Sequence, residues 1–387
     1  MKLNVNKKCS QLDINVRPFD SINELREAVR HNDALHPQSK YPRGGTVELA
    51  LLERKVANMF NLNPEEVMVF SYGMSAVVAA IEHASLTKGS TIIHGVNEYS
   101  NNKKYIGKTL TKRGVVAVEA ESYSIEYLQE LIEKNRPQVI FLETVANGQA
   151  MPVLDLENFF KIPSLKNIDP LIILDNTLAA SIISPEEILK DGFRVIGIES
   201  GLKFYTKHRG SFGFAYTKNL RMANEIKEYR KQTGTAPDLY QTKLISERLI
   251  GKFDLYQRNE RIFRNAMTLA TLSAEAEHEG ALFSIIYPNL KNHQNFDFAS
   301  KKFPGGAAPL FFIKSNGNKD QFDIAESLLK NLVVKEACVI IESFGYDFTT
   351  IWPNSDLNFV RISAGTEEEE TVKALGYAIR DSLRSIH

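Results

Sequence analysis

Short apolar segments alternate with segments of helical periodicity through residues 46–216, and this alternation constrains the fold more than any other feature. An amphipathic helix is predicted to begin at Thr46, and a helix rich in alanine and valine is predicted over residues 74–83. Strands that are separated by helices run parallel and need cover on both faces, so the pattern predicts an α/β fold with a mostly parallel sheet between helices. The segments that we predict as the strands of this sheet are 67–70, 91–94, 115–118, 139–142, 171–174, 194–198 and 211–216.

Changes in composition and periodicity divide the chain into three predicted parts. Residues 1–45 are polar and weakly periodic, which favours an N-terminal arm. Residues 46–238 carry the alternating pattern and form the predicted ligand-binding domain. After Gly234-Thr235-Ala236-Pro237 one long helical stretch, about 239–279, leads into shorter elements. Residues 239–387 are therefore predicted to form a smaller α+β C-terminal domain.

The bulk composition argues against several classes of function. The 387 residues include 47 lysines and arginines and 47 aspartates and glutamates, so charge gives no reason to expect nucleic acid or an anionic membrane as a partner. The first residues lack the apolar core of a signal peptide, and no apolar run reaches membrane-spanning length. Cys9 and Cys338 lie far apart, and the eight histidines form no ligand cluster. We expect a cytoplasmic protein with reduced thiols and no metal site.

Two charged residues stand just beyond neighbouring predicted strands. Asp175 ends the apolar run 171–174, and Lys203 follows the strand 194–198. Ligands of open α/β sheets bind beyond the carboxyl ends of the strands. Pyridoxal 5'-phosphate (PLP) requires a lysine amine that bonds to its aldehyde and an acid that keeps its ring nitrogen protonated. The pair therefore predicts a PLP site, with Lys203 as the catalytic amine.

Simpler roles stay open for each of these residues taken alone. Aspartate is a good helix N-cap, and a lysine is most often solvated at the surface. Lys207 is a near rival of Lys203 in the same segment. Position favours Lys203, because it comes sooner after the strand.

Five further residues stand at strand ends or helix starts and have chemistry that suits the same cofactor. Gly73 and Met74 open a predicted helix, where backbone N–H groups can bind a phosphate. Tyr99 can stack on a planar ring and exchange a proton, and Asn147 can bond to a cofactor oxygen or simply hold a turn. Ser200 can add a hydroxyl to the phosphate site.

The order of these motifs resembles that of the Cys/Met-metabolism PLP enzymes, the family of cystathionine γ-synthase, cystathionine γ-lyase and methionine γ-lyase. The resemblance covers nearly the whole chain and implies the fold of type I PLP enzymes. The matching segments are Tyr41-Pro42-Arg43, Tyr72-Gly73-Met74, Tyr99, 143–147, Asp175-Asn176-Thr177, 200–204 and 361–365.

The resemblance also implies roles for residues that the pattern alone does not single out. Arg361 would hold the substrate carboxylate, and Thr177 would belong to the cofactor site. Tyr41 and Arg43 would reach the phosphate from a neighbouring subunit, with Tyr41 near the substrate as well. Ser343 would contact the substrate. The working unit would then be a homo-oligomer, either a dimer or a tetramer.

The chain departs from the family pattern mainly on the substrate side. Only Gly44-Gly45-Thr46 remains of the family's Asn-Pro-Thr segment, and Leu202 replaces a threonine. The Ser-Leu-Gly-Gly loop is replaced by residues 343–348. These changes make the cofactor a firmer expectation than the substrate.

The resemblance implies elimination or replacement at the β or γ carbon of a sulfur-containing or O-acylated amino acid, with Lys203 and Tyr99 as the catalytic groups. One alternative is an aminotransferase or a specialised pathway enzyme that acts on an unusual amino acid, because the 343–348 loop is altered. Another is a non-catalytic homologue, which only Leu202 and the missing Asn-Pro support. Retention of Lys203, Asp175 and Arg361 argues against the second alternative.

Overall fold

The computed structural model describes residues 45–277, 282–315, 320–333, 338–354 and 359–385. Nearly all of the predicted N-terminal arm, with Tyr41, Arg43 and Cys9, lies outside the described residues. Cys338 is buried and has no disulfide partner among the described residues. Domain boundaries near residues 45 and 238 stay predictions.

A seven-stranded sheet forms the centre of the first part of the chain, as the alternating pattern predicts, in the order β1-β7-β6-β5-β4-β2-β3. All of its strands run parallel except β7, which is antiparallel to both of its neighbours. The strands are β1 (Val67–Phe70), β2 (Thr91–Gly95), β3 (Val116–Ala120), β4 (Val139–Glu143), β5 (Leu171–Asp175), β6 (Arg194–Ser200) and β7 (Gly213–Tyr216).

Helices connect and cover these strands. The α-helices that precede the second sheet in the chain are α1 (Val47–Phe60), α2 (Gly73–His83), α3 (Ser100–Lys104, continued by a π-helix over Tyr105–Leu110), α4 (Ile125–Asn135), α5 (Leu156–Phe159), α6 (Pro163–Ile168), α7 (Pro185–Ile188), α8 (Leu220–Thr233), α9 (Leu239–Arg248) and α10 (Lys252–Ala274).

The central strand β5 shows why the strand segments are continuously apolar. Leu171 and Ile173 pack into the core on the side of α2, while Ile172 and Leu174 pack into the core on the side of α1. Side chains of a strand alternate between the two faces, so a strand covered on both sides must be apolar at every position. Burying each such side chain contributes about 1.5–3 kcal/mol. The apolar run ends where the strand leaves the core, at Asp175.

A smaller five-stranded sheet follows, in the order β10-β11-β12-β9-β8. Its neighbours are antiparallel apart from the short β10–β11 pair. Its strands and helices are β8 (Phe283–Ile286), α11 (Phe296–Lys302), β9 (Leu310–Ser315), α12 (Gln321–Val333), β10 (Val339–Ile340), β11 (Thr350–Asn354), β12 (Phe359–Ser363) and α13 (Glu369–Arg384).

The prediction of one continuous helical stretch over 239–279 was wrong. The chain is extended at Leu249 (ψ 117°) and Gly251 (ψ 156°), so it forms two helices, α9 and α10, and α10 ends at Ala274. The break frees the N–H of Ile250 to donate to the carbonyl of Tyr205 (3.0 Å). The interruption thus ties the start of α10 to the segment that carries Lys203.

A buried ion pair joins α1, β1 and α8. Arg230 Nη1 donates to Glu53 Oε1 (2.5 Å) and to the carbonyl of Val69 (2.6 Å), and the N–H of Val69 donates to the same carboxylate oxygen (3.0 Å). The two side chains are only 7% and 10% exposed. Removing one member leaves the other charge buried without its partner.

We expect Arg230→Met to lower the free energy of unfolding by about 3 kcal/mol, because it leaves the Glu53 carboxylate buried without a charged partner. Arg221→Met on the same helix is the matched control. Arg221 pairs with Glu225 at the surface (2.9 Å), so its loss should change stability by less than about 0.5 kcal/mol. Thermal and urea unfolding of the two variants measure the difference, and equal effects would contradict this account.

Candidate active site

A cavity of about 980 Å³ lies between the carboxyl ends of β2, β4, β5 and β6 on one side and β9, β11 and β12 on the other. All the predicted site residues that the structure describes line it. They are Gly73, Met74, Tyr99, Asn147, Asp175, Thr177, Ser200, Lys203, Ser343 and Arg361. The fold thus brings these side chains to one place, and their roles stay predictions.

Asp175 lies where β5 meets the cavity and is 8% exposed. Its Oδ1 accepts the N–H of Thr177 (2.9 Å), and Thr177 Oγ1 accepts the N–H of Ser200 (2.9 Å). Burial raises the pKa of Asp175, against the hydrogen bonds from Thr177 and the charge of Lys203. The alternative N-cap role is absent here, because the next helical turn begins at Ala180 with Ala179 as its N-cap. The carboxyl group is held rigidly and would be stabilised by a cationic ligand.

Lys203 lies three residues beyond β6 and is partly buried. Its Nζ is 3.9 Å from the ring centre of Phe344 and 5.6 Å from that of Tyr99. Burial lowers the pKa of Lys203 to about 8 with help from the charge of Arg361, against Asp175 and Glu143. An amine with such a pKa is partly neutral near pH 7 and can act as nucleophile or base.

Lys207, the rival of Lys203, lies elsewhere. Its Nζ pairs with Asp347 (3.3 Å), and it is not among the residues that line the cavity. Its backbone adopts a left-handed conformation (φ 51°) in the turn that follows Lys203.

Glu143 holds the backbone of two predicted site residues, Tyr99 and Asn147, in position by hydrogen bonds. Its Oε1 accepts the N–H of Tyr99 (2.7 Å), and its Oε2 accepts the N–H of Asn147 (2.8 Å). Burial raises the pKa of Glu143 well above its ordinary value, and the charge of Asp175 adds to this. Glu143 therefore couples the loop after β2 to the loop after β4.

The backbone at the start of α2 packs closely against the C-terminal end of β6 and the first residue of β7. A Cβ on Gly213 would lie 2.4 Å from Gly73 Cα, and a Cβ on Gly73 would lie 3.1 Å from Ser200 Cβ. In the described part of the chain, the side chain of the N-cap residue Tyr72 makes no capping hydrogen bond. Uncapped N–H groups at a helix start, next to the hydroxyl of Ser200, form a site suited to a phosphate.

Arg361 enters the cavity from β12 and is 4% exposed. Its guanidinium lies 4.6 Å from the ring centre of Trp352, its cross-strand neighbour, and 5.7 Å from that of Phe344. One Nη donates to the carbonyl of Glu342, while Nε has no hydrogen-bond partner in the described part of the chain. Burial lowers the pKa of Arg361 to about 10. The group is placed to bind a carboxylate of a ligand.

Several lining residues received no role from the sequence. Phe344 becomes a neighbour of Lys203 because the smaller sheet packs over the strand ends, and Trp352 contacts Arg361 within that sheet as its cross-strand partner. Glu143 had a signal, since it opens the 143–147 segment of the family resemblance. Others that no sequence pattern marked are Glu98, Asn102, Lys103, Lys104 and Lys108.

Within the described ranges, no group of three or more His, Cys, Asp or Glu residues could hold a metal ion. A helix long and apolar enough to cross a membrane is also absent from those ranges.

Comparison with known proteins gives distant relatives of one kind. Cystathionine beta-lyase of Neurospora crassa is 23% identical over 301 residues, which cover 77% of this chain and 62% of that protein. Cystathionine beta-lyase of Lactococcus lactis is 24% identical over 75% of this chain and 74% of its own length. Cystathionine gamma-lyase of Saccharomyces cerevisiae is 24% identical over 75% and 73%. The first of these alignments thus spans less than two thirds of the relative.

Solved structures confirm the predicted fold. MetB from Corynebacterium glutamicum superposes with a TM-score of 0.72 over 91% of this chain and 89% of its own, at 21% identity. Cystathionine gamma synthase from Xanthomonas oryzae, solved with cystathionine, gives 0.72 over 89% and 88%, at 18% identity. The large sheet and the smaller C-terminal sheet are those of type I PLP enzymes. The sequence model of the family of Cys/Met metabolism PLP-dependent enzymes matches residues 19–375, and the chain belongs to this family.

Proposed function

We propose that this protein is a PLP-dependent carbon–sulfur lyase or transferase. It would catalyse elimination or replacement at the β or γ carbon of a sulfur-containing or O-acylated amino acid. The observation that carries the proposal is the placement of Lys203, Asp175 and Arg361 around one cavity. The relatives, cystathionine lyases and synthases, support the same class of reaction.

The residues present fit PLP. The amine of Lys203 has a lowered pKa, which suits attachment to an aldehyde. The buried carboxyl of Asp175 would gain a partner in the ring nitrogen. The close approach of Gly213 to Gly73 sets the position of the start of α2, whose backbone N–H groups would bind the phosphate. Residues that would complete the cofactor site are Met74, Tyr99, Asn147, Thr177 and Ser200.

When bound, PLP supplies an electron sink for the negative charge that develops at the substrate Cα. Arg361 would bind the α-carboxylate and so fix the orientation of the Cα–H bond. Lys203 Nζ would take the Cα proton and return it further along the substrate. Tyr99 would exchange a proton with the leaving group. The pKa of Lys203 near 8 means that proton abstraction weakens as the pH falls below that value.

We further propose that the working unit is a homo-oligomer, a dimer or a tetramer. The family resemblance implies that Tyr41 and Arg43 would reach the phosphate of a neighbouring subunit, and both lie outside the described residues.

A second candidate function is an aminotransferase or a specialised enzyme that acts on an unusual amino acid. The observation that favours it is Phe344, which brings an aromatic ring from the altered 343–348 loop to within 3.9 Å of Lys203 Nζ. Such a ring reshapes the space beside the reacting carbon.

Lys203→Ala should abolish the absorbance band of the lysine-bound cofactor and lower turnover by more than about a thousandfold. Lys207→Ala is the matched control from the same turn, since its amine pairs with Asp347, and it should keep the band. Spectra and initial rates of the two variants test the assignment. A band that survives in Lys203→Ala would refute it.

Gly213→Ala should weaken PLP binding by tenfold or more, roughly, because the added methyl group displaces the start of α2 from the phosphate site. Gly305→Ala, where an added Cβ has no atom within 4 Å, is the control. Equilibrium titration with PLP measures affinity, and thermal unfolding checks that both variants fold. Equal affinities in two folded variants would remove the phosphate from this place.

A substrate panel separates the candidate functions. Cystathionine, methionine, homocysteine and O-acylhomoserines are incubated with PLP-loaded protein, and release of ammonia, 2-oxo acid and thiol is measured. We expect turnover of at least one of them. No turnover, with spectral changes on adding other amino acids, would favour the second candidate. No response to any amino acid would indicate a non-catalytic homologue.

A further inference from the structure

The ring of Phe344 lies close to two cationic groups that line the cavity, Lys203 and Arg361. Its centre is 3.9 Å from Lys203 Nζ and 5.7 Å from the guanidinium carbon of Arg361. Phe344 is 2% exposed and packs against Phe204, the residue after Lys203, with ring centres 5.8 Å apart. The ring therefore covers the amine from the side of the smaller sheet.

Several contacts hold the loop that carries this ring against the Lys203 segment. His208 Nε2 and the Phe344 carbonyl lie 2.7 Å apart, within hydrogen-bond distance. Arg258 donates to the carbonyl of Gly345 (2.8 Å) and to Asp347 (2.7 Å). Gly345 has φ +86° and approaches so closely that a Cβ there would lie 3.0 Å from the carbonyl oxygen of Lys203. The ring position is thus determined by the backbone on both of its sides.

We propose that Phe344 is a positioning residue for Lys203, which holds the amine in place by presenting the face of its ring to the ammonium form. This inference rests on the proposed function only for the catalytic role of the Lys203 amine. The negative face of an aromatic ring attracts a cation most strongly where water is excluded.

Other groups act on the same amine, and the effect of the ring must be distinguished from theirs. Burial and the charge of Arg361 disfavour the ammonium form, whereas Asp175 and Glu143 favour it. The charged, titratable or aromatic groups that face Lys203 come from β12, β5, β4, the start of α3 and its own segment. They are Arg361, Asp175, Glu143, Tyr99 and His208.

Phe344→Leu removes the ring face and keeps an apolar side chain. Loss of the cation–π contact should lower the pKa of Lys203 by roughly half a unit to one unit. At pH 6 the neutral fraction of the amine should then rise roughly three- to ninefold. Phe344→Tyr keeps a ring face and should restore the original value.

Competitive labelling with acetic anhydride measures this pKa. Full-length protein, freed of cofactor with hydroxylamine, is labelled across a pH series, and acetylation of Lys203 is quantified by peptide mass spectrometry. Phe348→Leu is the matched control, because Phe348 is in the same loop, is 44% exposed and stacks on Tyr346, not on Lys203. Its labelling midpoint should equal that of the unchanged protein.

A midpoint in Phe344→Leu that stays the same or rises would overturn the proposal, since the ring would then act only as an apolar cover. Phe344→Met, a second ring-free variant, gives the same test if the leucine variant does not fold. Failure of the proposed function has a different signature. In that case the unchanged protein would turn over no member of the substrate panel, whereas the labelling midpoints would still report on Phe344.

Discussion

Burial of charged groups at the carboxyl ends of β4, β5 and β6 is the constraint on which the site depends. Glu143 and Asp175 have raised pKa values because the protein removes them from water, and Lys203 has a lowered pKa for the same reason. Arg361 adds a second buried cation opposite them. Buried charges are costly unless partners compensate them, so this end of the sheet is suited to a ligand with complementary charges.

The surrounding backbone keeps these groups apart and oriented. Glu143 binds the N–H groups of Tyr99 and Asn147, and Thr177 links the turn after β5 to Ser200 at the end of β6. The Glu143–Tyr99 and Thr177–Ser200 bonds each join the ends of different strands, and the Glu143–Asn147 bond holds the loop after β4 to the end of that strand. A functional group that is held through a neighbouring strand end loses little freedom when a ligand binds. The sheet therefore holds the proposed reacting groups in fixed positions through these hydrogen bonds.

Most of the large sheet was predictable, because each strand buried on both faces needs an uninterrupted apolar run. The run before Asp175 shows this most clearly. Helix α8 was not predicted, although Asn219 and Gly234 cap its two ends, because its exposed face makes the apolar pattern weak. The break between α9 and α10 was also missed. Local helix preference continues through Leu249 and Ile250, and a hydrogen bond to Tyr205 from a distant segment competes with it.

The sequence by itself determined the order of the strands along the chain and the residues that stand at their carboxyl ends, because strand patterning and strand ends are local properties. It therefore identified Asp175 and Lys203, and the family resemblance added Arg361. Only the tertiary structure decided that Lys203 and not Lys207 faces the cavity, and that Phe344 and Trp352 lie against the two cations. The Lys203–Phe344 contact depends on how the smaller sheet packs over the larger one, and the Arg361–Trp352 contact depends on the pairing of β11 with β12. Contacts between segments more than a hundred residues apart leave no periodic trace in the sequence of either.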